Sequence, residues 1–118
     1  MTKFKEYTYG EVEFSHFIAL LKYTNVNLNS VFWDLGCGIG KAMICAALSD
    51  CKFSKICGVE ILEGLYNKCH LVIDKFRNNF EKSKAIEFKV IQGDIEKVDW
   101  LDADLIYFSS ICLSDEVI

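Results

Sequence analysis

The run Val31-Phe32-Trp33-Asp34-Leu35 passes directly into Gly36-Cys37-Gly38-Ile39-Gly40, and this junction constrains the chain more than any other feature. The first part reads as a short buried strand, being apolar, aromatic and bounded by turn residues. Glycines immediately after a strand allow a tight turn and leave no Cβ between the backbone and a ligand. Lys41 to Leu48 is small and apolar enough to be a helix packed on a sheet. Counting removes two other glycine patterns. A dinucleotide fingerprint starting at Gly36 needs glycine at position 41, where Lys41 stands, and this disfavours a nicotinamide-dependent oxidoreductase. A P-loop ending at Lys41 needs glycine at position 35 and Ser or Thr at 42, where the chain has Leu35 and Ala42.

The strand-to-helix pattern continues on both sides. Phe14, Phe17, Ile18 and Leu21 share one face of an amphipathic helix expected over Glu11 to Tyr23, and Asn25 to Ser30 is turn chemistry. Ser54 to Val59 reads as a second strand closed by Glu60, followed by a helix over Glu63 to Phe80. Ala85 to Gln92 alternates as a third strand ending in Gly93-Asp94, and Ala103 to Phe108 reads as a fourth. Strands alternating with helices imply βαβ units and a parallel sheet. One domain over residues 1–118 is expected, with residues 1–30 an N-terminal loop and helix and 31–118 the ligand-binding βαβ units. It reads as truncated after the fourth strand, as half a fold. Leu105 to Phe108 would then form an apolar edge through which the chain self-associates, or which a rearranged tail or a second chain covers.

Composition excludes more than it suggests. A formal charge of −4 supplies no basic surface for nucleic acid. No apolar stretch is long enough to span a membrane, and the N-terminus leads into no signal-peptide core. An intracellular protein is expected, in nucleus or cytoplasm. The six cysteines contain no Cys-x-x-Cys pair, and with His16 and His70 they match no zinc spacing, so no metal site is expected and the thiols read as reduced.

In open parallel sheets, ligands bind beyond the carboxyl ends of the strands. Each such end here carries a special residue. Glu60, about 20 residues beyond the glycine turn, suits the two hydroxyls of a ribose. Asp94, beside apolar Ile95, suits an adenine amino group. Asp34 suits a cationic ligand end, whose charge a carboxylate offsets.

Tyr9-Gly10-Glu11, Asp34-Leu35-Gly36-Cys37-Gly38-Ile39-Gly40, Gly58-Val59-Glu60 and Gly93-Asp94 follow one another at spacings similar to those of the disruptor-of-telomeric-silencing family. These are histone lysine methyltransferases built on a class I rather than a SET fold, and the chain resembles them over nearly its whole length. The resemblance implies a Rossmann-like α/β domain with sheet order 3-2-1-4 that binds S-adenosyl-L-methionine and transfers its methyl group to a protein lysine, on a histone or another protein. It implies a cofactor site of Tyr9, Gly10, Glu11, Asp34, Gly36, Cys37, Gly38, Gly40, Lys41, Glu60, Ile61, Gly93, Asp94 and Ile95, with Ser109 the candidate catalytic residue. Lys41 stands where the family carries glutamine. Ser109-Ser110-Ile111-Cys112-Leu113 stands where the histone-modifying members have two asparagines and then aromatics. The alternatives are a cofactor-binding module without turnover and a small-molecule methyltransferase. No Asn/Asp-Pro-Pro-aromatic motif for nucleobase methylation is present.

Overall fold

The computed structural model describes residues 14–23 and 29–108. Helix α1 (Phe14–Tyr23) precedes strand β1 (Val31–Leu35), helix α2 (Lys41–Leu48), strand β2 (Lys55–Glu60) and helix α3 (Glu63–Asn79). A 3₁₀ turn (Glu81–Ala85), strand β3 (Glu87–Gln92) and strand β4 (Leu105–Phe108) complete the order. The four strands form one parallel sheet in the order β3-β2-β1-β4. This is the expected Rossmann-like arrangement, in which the chain turns back at β1.

The central strands are apolar because both of their faces are covered. Phe32 of β1 and Ile56 of β2 join Phe17, Leu21, Met43, Phe53, Cys69 and Ile73 beneath the three helices. Trp33, Leu35, Cys57 and Val59 point to the opposite face, against Ile91, Ile95, Val98 and Trp100. Burying each of the larger side chains stabilises the fold by about 1.5–3 kcal/mol. A polar clamp fixes this second face, where Trp33 Nε1 donates to Asp102 Oδ1 at 2.7 Å and Lys55 Nζ lies 2.6 Å from Asp102 Oδ2.

Element boundaries differ from the sequence reading in instructive ways. Glu60 closes β2 as expected, paired in register with Gln92. Ser54 stays outside because its hydroxyl donates to Asn29 O at 2.8 Å. β3 starts at Glu87, not Ala85: buried Ser83 donates its hydroxyl to Phe80 O at 2.6 Å and winds the preceding residues into the 3₁₀ turn. β4 starts at Leu105, since Asp104 closes the ladder by accepting from Val31 N at 2.8 Å through its carboxylate. Residues 11–13 of the expected first helix lie outside the described residues. No helix among the described residues is long and apolar enough to cross a membrane.

Candidate functional site

The carboxyl ends of the four strands converge on a cleft of about 400 Å³. Its floor is backbone. Gly36, Gly38 and Gly40 all have positive φ, at 96°, 56° and 96°, a region that side-chain-bearing residues rarely enter. The turn is tied to β2 by Gly36 N and Cys37 N, which donate to Val59 O at 2.8 and 2.9 Å. Gly58 lets it come this close: a Cβ there would meet Cys37 Sγ at 2.8 Å and Met43 Sδ at 2.5 Å.

Glu60 is buried at the cleft wall, 7% exposed, and both of its oxygens are already oriented. Oε1 accepts from Gly38 N at 2.8 Å and Oε2 from Leu62 N at 3.1 Å. Each carboxylate oxygen has a second lone pair, so the group still offers two acceptor positions to a vicinal diol. On the adjoining strand end, Gly93 N donates to Glu60 O at 3.1 Å. Asp94 is fixed in its turn by accepting from Glu96 N at 2.9 Å. The remaining wall is apolar, from Val59, Ile61, Leu62, Leu65, Ile95 and Phe108.

Of the residues expected to hold the cofactor, Gly36, Gly38, Glu60, Ile61, Gly93, Asp94 and Ile95 line this cleft together. Cys37, Gly40 and Lys41 stand away from it. Cys37 turns its sulfur into the core, 3.8 Å from Cys69 Sγ. That thiol–thiol contact, and then burial, hold the Cys37 thiol well above its ordinary range. Gly40 is buried under Cys69 and Ile73, and Lys41 is exposed at the start of α2. Asp34 is enclosed behind the turn rather than on the cleft wall, with 2% of its surface exposed. Tyr9, Gly10, Glu11 and Ser109 lie outside the described residues.

Val59, Leu62, Leu65 and Phe108 were missed by the sequence reading. Phe108 carried a signal, since it closes the fourth strand as Glu60 closes the second. Leu62 and Leu65, three apart at the start of α3, look in sequence like any core-facing helical pair.

A family model described as histone methylation protein DOT1 matches residues 1–112. The chain belongs to the DOT1 family. It is 32% identical over 94 residues to a histone-lysine N-methyltransferase, H3 lysine-79 specific, of Caenorhabditis elegans, covering 77% of this chain and 10% of the relative. The Kluyveromyces lactis protein of the same description is 32% identical over 78 residues, covering 65% of this chain and 13% of its own length. The chain thus spans about a tenth of the curated relatives it matches. Among solved structures, an RNA methyltransferase from Salinibacter ruber, crystallised with S-adenosyl-L-homocysteine, superposes with a TM-score of 0.58 at 24% identity, over 80% of this chain and 56% of that one. Arabidopsis thaliana protein arginine methyltransferase 10 gives a TM-score of 0.61 at 17% identity, over 91% and 28%. The likeness is one of fold, shared with these two structures over most of the chain.

Proposed function

We propose that this chain forms the S-adenosylmethionine-binding part of a histone-lysine methyltransferase. The observation that carries the reading is Glu60, a buried carboxylate oriented by two backbone N–H groups at the edge of a glycine-floored cleft. Glu60 suits the ribose hydroxyls, Asp94 with Ile95 suits the adenine, and the glycine backbone leaves room for the amino-acid chain on the other side of the ribose. The enclosed, unpartnered Asp34 Oδ1 suits a cationic group. When bound, S-adenosylmethionine supplies a methyl group on a positively charged sulfur. The residues of this chain bind and orient it, and in-line transfer draws its rate from that orientation. The family and the relatives named for H3 lysine-79 support a lysine side chain on a histone as acceptor, which would place the activity in the nucleus.

Calorimetric titration with S-adenosylmethionine and with NAD tests the cofactor. Glu60→Ala should weaken S-adenosylmethionine binding by about 1.5–3 kcal/mol, as expected for lost hydrogen bonds to a charged group. Binding of NAD without any response to S-adenosylmethionine would overturn the reading. Radiolabelled methyl transfer to histones by a longer natural chain tests the acceptor, and activity on small metabolites alone would count against lysine. The apolar β4, with Ile106 and Phe108 each 42% exposed, supports a second copy as a partner along that strand. Sedimentation should show concentration-dependent dimers, and a monodisperse monomer at high concentration would count against them.

A further inference from the structure

The glycine turn that floors the cleft rests on sulfur. Cys37, between Gly36 and Gly38, turns its side chain away from the cleft to within 3.8 Å of Cys69 Sγ on α3. The two residues are 6% and 0% exposed. Glycines on both sides make room for the pair. A Cβ on Gly58 would meet Cys37 Sγ at 2.8 Å, and one on Gly40 would meet Cys69 Sγ at 3.0 Å. The sulfurs therefore lie between β2, the turn and α3, one residue away from Gly38. Cys57, by contrast, faces the other side of the sheet.

Two thiols in contact need only a small approach to reach the roughly 2 Å of a disulfide bond. We propose that Cys37 and Cys69 form a reversible disulfide that draws the glycine turn away from Glu60 and so lowers the cleft's affinity for its ligand. The oxidant is a peroxide. One thiolate breaks the O–O bond of hydrogen peroxide and becomes a sulfenic acid, and the departing oxygen leaves as water. The second sulfur then displaces the sulfenic oxygen as a second water, forming the S–S bond. Two electrons and both thiol protons thus pass from the sulfurs to the two waters. Cys69 is fixed within a 17-residue helix, so the turn is the side that yields. Cys37 N donates to Val59 O at 2.9 Å, and its neighbour Gly38 N donates to Glu60 Oε1 at 2.8 Å. Drawing Cys37 toward α3 loosens both bonds, and Glu60 loses one of the two donors that orient it. Burial of both sulfurs keeps peroxide out until the turn opens locally. The effect on binding rests on the S-adenosylmethionine reading, whereas the disulfide itself does not.

Trypsin leaves each partner in a peptide with no other cysteine, residues 23–41 and 69–75. After the folded chain is treated with hydrogen peroxide and its remaining thiols are alkylated, mass spectrometry should find these two peptides joined. Dithiothreitol should separate them. Calorimetry should show S-adenosylmethionine binding weakened by about fivefold or more in the oxidised chain, within the usual range of coupling between sites. Affinity should return with dithiothreitol, and Cys69→Ala treated with peroxide should keep the affinity of its untreated form. If the two peptides are not joined, or are joined without any change in affinity, the proposal is overturned and the cofactor reading stands. Absence of binding by the reduced chain overturns the cofactor reading and the coupling with it, and the peptide map then decides the disulfide alone. Should Cys69→Ala fail to fold, the wild-type chain before and after dithiothreitol decides.

Discussion

A carboxyl group held as high as Asp34 makes the empty protein sensitive to pH. Its ordinary value is 3.8 and in the fold it is raised to about 8. Between those values the folded chain binds a proton that the unfolded chain has lost, so stability falls as pH rises from about 4 to about 8. The slope approaches 1.4 kcal/mol per pH unit for this group alone. Denaturant melts of wild type and Asp34→Asn across pH 5–9 should therefore diverge. The wild type should lose stability relative to the variant with rising pH, and parallel curves would mean that Asp34 is ionised in the empty fold. In the sequence Asp34 was visible as a strand-end acid, but the lack of a partner at its Oδ1 was not. Burial of that oxygen away from any donor is a property of the assembled turn and sheet.

Among the elements, the glycine turn and the ends of β1, β2 and β3 were legible because each needs a special residue at a fixed place. Where one hydroxyl or carboxylate decided a boundary, as with Ser83 before β3 and Asp104 before β4, apolar pattern alone misplaced the strand start. Gly58 shows the opposite case. It reads as an ordinary strand residue beside Val59 and Glu60, yet the turn lies against its α-carbon. Gly58→Ala should push Cys37 and Met43 outward and destabilise the fold by about 1–3 kcal/mol, the usual range for overpacking. A denaturant midpoint measures this. The same change should weaken S-adenosylmethionine binding, because the displaced turn carries Gly38 and thus one of the two donors that orient Glu60. Glu60→Gln separates the two effects, since it loses the charge while keeping the packing at Gly58.

Across the whole molecule, the sheet order was legible from the alternation of strands and helices together with the family resemblance. The sharing of roles between the faces was not. The segment between Asp94 and Ala103 carries no element in the sequence reading, but Ile95, Val98 and Trp100 cover the face that the helices leave open. Trp100 Nε1 donates back to Ile95 O at 2.9 Å, and Asp102 holds Trp33 and Lys55. This cover and β4 arrive together, since Asp104 joins Val31 across 73 positions of chain. Joining segments so far apart closes a long loop, and such closures are slow relative to local helix formation. The β1-α2-β2-α3-β3 portion has its partners within reach as soon as it is made, whereas β1 keeps one open edge until β4 comes. Both tryptophans lie on the late-covered face, so their fluorescence should change in a phase that follows the rise of helical circular dichroism during refolding. A nascent chain that has emerged only as far as β3 would hold its helices while still presenting β1 to any passing strand.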